Sequence, residues 1–158
     1  MIAIALSCRP KLLLADEPTT ALDATVQIQI LLLLRRLQEE LGMGVIFVTH
    51  DLGVAGEVAD RIAVMYGGRF IEEGPTRDVM RTPLHPYTQG LLGATVHAGA
   101  RGTRLTTIPG APPNLEHPPQ GCPFAPRCAY VEAACLPEVP APRSPSPGRE
   151  ARCVRVTV

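Results

Sequence analysis

The sequence predicts an α/β protein: a parallel sheet with helices, followed by a Pro- and Cys-rich irregular C-terminal region. Three observations carry this. Two continuous apolar runs, "KLLLA" (11–15) and "VIFVT" (45–49), are bounded by turn formers, as in strands buried on both faces. Between them Val26, Ile30, Leu34, Leu37 and Leu41 recur at helical spacing. Composition then changes: residues 101–158 hold twelve of the seventeen prolines and four of the five cysteines. The expected organisation is a globular α/β portion over 1–82 and a C-terminal region over 83–158.

In order along the chain, "MIAIALSC" suits a helix that stops before Pro10. The first strand follows, and Asp23 is placed to cap the next helix, which Gly42 ends. Strand, helix and strand within about forty residues make a βαβ unit, with a right-handed crossover expected. In "RIAVMYGGRFIEEG" two β-type runs flank Gly67-Gly68, a hairpin signal. "TRDVMRTP" and "HPYTQGLLGAT" read as two short helices interrupted by Pro83 and Pro86. Beyond Gly99 the prolines argue against regular structure over most of the remainder.

The formal net charge is zero, so no electrostatic pull towards nucleic acid is expected. The apolar runs fall far short of the roughly 18 residues of a spanning helix, and the N-terminus lacks a signal-peptide pattern. The expected setting is cytosolic, with any membrane role borrowed from a partner.

Both strands end in acid or imidazole: Asp16-Glu17 after the first, His50-Asp51 after the second. Ligands of open parallel sheets bind at the carboxyl ends of strands. Phosphoryl transfer needs positioning and charge neutralisation, and these residue types supply both. Asp16 would help hold Mg²⁺ through its water shell. Glu17 would orient or deprotonate the attacking water, and His50 would donate to a γ-phosphate. Taken singly, each is equally an ordinary solvated strand-end residue.

The string "LLLADEPTTALD" (12–23) resembles the Walker B and D-loop segment of an ABC transporter ATPase subunit, and "VIFVTHDL" its H-loop strand. "HPYTQGLL", "IPGAPP" and "GCPFAPRC" are similar to the C-terminal region of oligopeptide/dipeptide importer ATPases. The resemblance implies a partial P-loop NTPase sheet, ATP and Mg²⁺ as ligands, and ATP hydrolysis coupled to peptide import. It makes Asp16 the Walker B aspartate, Glu17 the catalytic glutamate, Asp23 the D-loop aspartate and His50 the switch histidine. Implied partners are membrane-spanning permease subunits, a second ATPase subunit and an extracytoplasmic peptide-binding protein. The implied location is peripheral, on the cytoplasmic side of the membrane.

Two parts of that machinery are missing from the sequence. A phosphate-binding loop needs a Gly-Lys pair, whereas the single lysine, Lys11, follows Pro10. Leu6-Ser7 continues into Cys8 rather than into the Gly-Gly of the ABC signature. The resemblance is therefore to the C-terminal half of a longer subunit, inactive alone and expected to leave an apolar sheet face and a strand edge uncovered.

Cys8 lies in an apolar helical stretch and reads as a small core residue. Cys122, Cys128, Cys135 and Cys153 are separated by five, six and seventeen residues, without the paired spacing of common zinc sites. Reduced thiols and a metal centre such as zinc both stand as readings of the residues. The importer resemblance points to a [4Fe–4S] cluster, which takes four thiolates. His85 reads as a helix-start residue, and His97 and His117 as solvated. A rival reading from a different class is a non-catalytic interaction or regulatory module built on the Cys-rich region.

Overall fold

Leu12–Asp16 (β1) and Gly44–Val48 (β2) pair in parallel, Leu12 opposite Gly44 and Asp16 opposite Val48. In this computed structural model residues 2–20, 22–94 and 107–157 are described. They fall into two compact units, Met1–Ala59 and Asp60–Val158, so the sequence-derived boundary at residue 82 lies inside the second.

In the first unit, Ile2–Leu6 (α1) precedes β1, and Ala24–Leu41 (α2) links the two strands. Asp23 caps α2, its carboxylate accepting from the N–H groups of Thr25 and Val26 at 3.1 and 3.0 Å. The helix ends at Gly42, whose N–H reaches the Gln38 carbonyl. Leu13, Leu34 and Met43 form the core, with Ile2, Leu6, Ile30, Leu37, Val45 and Phe47 packed around them. Each of the larger side chains so buried contributes on the order of 1.5–3 kcal/mol. Val26 and Leu41, at the ends of the expected stripe, stay more than a third exposed.

The expectation of strands buried on both faces is corrected here. Burial alternates along β1, and Leu12, Leu14, Ile46 and Val48 are exposed, Leu14 by 70%. The reason is the packing: the core cluster draws its helical residues from α1 and α2, which meet one face of the sheet. Cys8 is also corrected. The helix stops at Leu6, two residues short of it, and Cys8 is exposed rather than buried in a core. Leu52–Val58 (α3), capped by Asp51, closes the unit.

The second unit begins with the hairpin of Arg61–Tyr66 (β3) and Arg69–Pro75 (β4). Its turn residues, Gly67 and Gly68, have φ of 56° and 74°. Only a residue without a Cβ takes both positions cheaply, and such a turn matches strand twist. Thr76–Arg81 (α4) and Pro86–Ala94 (α5) follow, close to the expected helices.

The C-terminal region is more regular than its prolines suggest. Arg143–Ser146 (β5) and Arg149–Ala151 (β6) form a second hairpin that joins the first in a four-stranded antiparallel sheet, ordered β3-β4-β6-β5. Pro145 is accommodated because β5 lies at the edge, where a strand residue without an N–H costs no ladder bond. Two 3₁₀ turns, Ala125–Arg127 and Ala133–Cys135, shape the cysteine-bearing loops. Phe124 is buried between Tyr66 and Tyr87, with ring centroids 5.3 and 5.4 Å away.

Candidate functional site

The first candidate site lies where β1 and β2 end. Asp16 is the last residue of β1 and is exposed. Glu17, next to it, has φ of 42°, in the left-handed region that a side-chain-bearing residue enters at a cost of about 1–3 kcal/mol. Its N–H still donates to the Val48 carbonyl at 2.9 Å, so the turn stays anchored to the neighbouring strand. This backbone turn directs the Glu17 carboxylate to His50: Oε1 lies 2.8 Å from Nδ1. Thr20 Oγ1 donates to Oε2 at 2.7 Å. The structure thus joins two of the sequence-nominated residues, thirty-three positions apart, and adds Thr20, which sequence reasoning missed.

The pair titrates as opposite charges do. The hydrogen bond from His50, and after it the one from Thr20, holds Glu17 below the usual carboxylate range. The same bond to Glu17 raises His50 above its ordinary value of 6.5. The His50 contribution is complete below 6.5 and disappears as pH rises through its elevated value. The Glu17 contribution is present above 4.5 and disappears as pH falls through its depressed one. Both groups are therefore charged over an interval covering at least 4.5 to 6.5. Histidine side-chain NMR is expected to show His50 titrating above 6.5, and Glu17→Gln to move it downwards. A midpoint that the substitution leaves in place would mean that the contact is not formed in solution.

Asp23 does not join this pair; its carboxylate is used on the α2 cap. Among the described residues no three His, Cys, Asp or Glu side chains are grouped so as to hold a metal ion. For Mg²⁺ this is compatible with the donor chemistry present, since magnesium keeps most of its waters and takes only one or two protein carboxylates. Asp16 is an exposed hard oxygen donor of that kind.

The second candidate site is in the second unit. Cys122, Cys128, Cys135 and Cys153 all line one cavity, with His85 and Phe124. The two cysteine loops are tied by the Cys122 N–H to the Cys135 carbonyl at 2.8 Å. Gly121 makes this approach feasible: a Cβ there would overlap the backbone of Cys135 and Leu136, which cannot swing aside. Burial pushes the Cys122 and Cys153 thiols up. Four soft donors around one cavity fit a thiolate-bound group in chemistry, although they are not drawn together as a ready ligand set.

His85 was legible only as a helix-start residue, yet it is 1% exposed. Burial lowers it to about 4, so its ring is neutral at physiological pH. The signal available in the sequence was its place in "HPYTQGLL". His117 is exposed as expected, and His97 lies outside the described residues. No helix among the described residues is long and apolar enough to cross a membrane.

Residues 71–135 match the family model described as "Oligopeptide/dipeptide transporter, C-terminal region". The chain is 52% identical over 98% of its length to a Brucella ovis protein provisionally named as a peptide import ATP-binding protein, 47% of which is covered. It is 51% identical to the oligopeptide transport ATP-binding protein OppD of Salmonella typhimurium, over 98% of this chain and 46% of that one. The Escherichia coli protein of the same name is 50% identical, with the same coverage. The chain spans about half the length of the curated relatives it matches.

Proposed function

We propose that the chain is part of an ATPase that drives peptide uptake, because along nearly its whole length it is similar to about half of peptide import ATP-binding proteins and its residues 71–135 match the oligopeptide/dipeptide transporter C-terminal region. The observation that carries this is the Glu17–His50 contact at the ends of two parallel strands. In this reading residues 1–82 belong to a P-loop parallel-sheet ATPase domain and 83–158 form its C-terminal region. Asp16 helps hold Mg²⁺, which when bound neutralises phosphate charge. Glu17 takes the hydrogen bond, and then the proton, of the attacking water. With Nδ1 turned to Glu17, His50 keeps Nε2 for a phosphate oxygen. Asp23 lies in the segment that meets a second ATPase subunit. Permease subunits carry the peptide across the membrane, an extracytoplasmic binding protein delivers it, and the ATPase sits peripherally on the cytoplasmic side.

In the same reading Cys122, Cys128, Cys135 and Cys153 hold a [4Fe–4S] cluster, supported by their lining one cavity. Such a group supplies a one-electron centre and a clip that contributes folding free energy. Anaerobically reconstituted chain is expected to hold about four irons, and each Cys→Ser change to lower iron while Cys8→Ser does not. Stoichiometric zinc, or folded protein free of metal, would overturn it. The names of the relatives favour the transport ATPase over a purely regulatory Cys-rich module.

The 158-residue chain alone is expected to show no ATP hydrolysis above background, because its one lysine follows a proline rather than a phosphate-cradling glycine. Joined to the preceding half of the Salmonella relative, it is expected to hydrolyse ATP with Mg²⁺. A joined protein that folds and binds ATP without hydrolysing it would overturn the assignment.

A further inference from the structure

We propose that Thr20 is a positioning residue of the ATPase site, holding the Glu17 carboxylate in the orientation from which it takes a proton from water. For the reaction served this rests on the function proposed above; for the hold on Glu17 it does not.

Thr20 grips Glu17 twice. Its backbone N–H donates to the Glu17 carbonyl at 3.1 Å, and its hydroxyl donates to Glu17 Oε2 at 2.7 Å. An ionised carboxylate only accepts, so the proton of the second bond belongs to Thr20. Both bonds form because the chain turns sharply at Glu17, whose φ is 42°, and brings the residue three positions on back over it. Pro18, between them, has no N–H to offer this turn. The turn is tied at both ends. On one side the Glu17 N–H donates to the Val48 carbonyl of β2 at 2.9 Å. On the other, the Leu22 N–H donates to the Thr19 carbonyl at 3.2 Å and leads into the Asp23 cap of α2. The hydroxyl is thus carried by anchored backbone, on a β-branched side chain that is stiff at χ1.

The second grip matters because the site is open. The Glu17 side chain is 40% exposed and that of His50 77%, so water competes for each of their bonds. With His50 alone on Oε1, the carboxylate is free to pivot about that single contact. A donor on Oε2 as well fixes its plane. Each oxygen keeps further lone-pair capacity for a water. A general base has to lie within hydrogen-bond reach of the proton it removes, so the fixed plane decides where that water is held.

Two measurements test the hold and its use separately. On the 158-residue chain, three-bond side-chain couplings from NMR are expected to show Glu17 in a single rotamer, unlike exposed Glu138. Thr20→Val, which keeps the shape and removes the hydroxyl, is expected to give Glu17 averaged couplings, and Thr20→Ser to restore the single rotamer. Averaging in the parent as complete as at Glu138, or a single rotamer retained in Thr20→Val, would overturn the inference whatever the chain's function. In the protein joined to its relative's preceding half, Thr20→Val is expected to lower ATP turnover by about 10–10²-fold, the effect of displacing a positioned group by about 1 Å. Binding of a slowly hydrolysed ATP analogue is expected to stay unchanged, and Thr20→Ser to recover most of the turnover. Turnover of Thr20→Val within about twofold of the parent, a parallel loss of binding, or Thr20→Ser as slow as Thr20→Val would overturn the positioning role with the ATPase reading intact. A joined parent without turnover fails the ATPase reading instead, and the coupling measurement then decides whether Thr20 holds Glu17.

Discussion

In the protein joined to its relative's preceding half, Glu17→Gln is expected to lower ATP turnover by about 10²–10⁴-fold and to leave ATP affinity nearly unchanged. The substitution keeps size and shape, and an amide oxygen can still accept from Thr20. What it removes is a charge and a proton acceptor. The His50 and Thr20 contacts keep that carboxylate ionised, which is the state a water-activating base needs. Turnover by single-site variants, measured beside equilibrium binding of a slowly hydrolysed ATP analogue, separates the outcomes. A parallel loss of binding would assign Glu17 to nucleotide or metal holding, and turnover within tenfold of the parent would remove it from the chemistry.

Glu72→Ala is expected to destabilise the second unit by about 3–5 kcal/mol. The carboxylate accepts two backbone N–H groups and lies 3.8 Å from Arg149, whose side chain is 11% exposed. Arg149 also donates to Thr82, from Nη1 to the hydroxyl at 3.2 Å and from Nη2 to the carbonyl. Removing the carboxylate leaves two N–H donors without their acceptor and a largely buried guanidinium, still bonded to Thr82, without its counter-charge; such orphans cost more than the bond itself contributed. Glu72→Gln is expected to lose less, because one amide oxygen still accepts. Tyrosine fluorescence during urea unfolding reads this unit selectively, since Tyr66, Tyr87 and Tyr130 all belong to it and the chain has no tryptophan. A loss below about 1 kcal/mol would mean that water reaches these groups and the carboxylate is dispensable.

What could be read from sequence was local. The runs at 12–16 and 44–48 and the 3.6-residue period between them gave β1, α2 and β2, and Asp23 and Gly42 gave the helix ends. The glycine pair gave the first hairpin. What escaped depends on partners distant in the chain. An apolar run does not say how many of its faces are covered, so the exposure of Leu14 and Ile46 was not foreseen. The β5–β6 hairpin carries no β-type run, since "RSPS" is a strand only because it pairs with β6 and β6 with β4. Cys8 looked apolar in company but fell beyond the helix end. At the candidate site, the positions of Asp16, Glu17 and His50 at strand ends are legible in the sequence. The strained turn at Glu17, the Thr20 contact and the burial of His85 came only with the three-dimensional arrangement.

The pairing of Glu72 with Ala151 has a consequence for how the protein is made. The second unit closes across nearly eighty intervening residues, at a loop-closure cost that has to be met before the pairing is rewarded. The strand that β4 pairs with, Arg149–Ala151, is the last of its sheet to be synthesised. Until those residues have left the ribosome, β4 has no β6 to pair with and Glu72 lacks the arginine beside it. The parallel pairing of β1 with β2, by contrast, closes within residues 12–48. That pair is thus free to form earlier in translation. The four-stranded sheet has to wait for β6, so the nascent protein carries an open strand edge on β4 while the intervening residues are made.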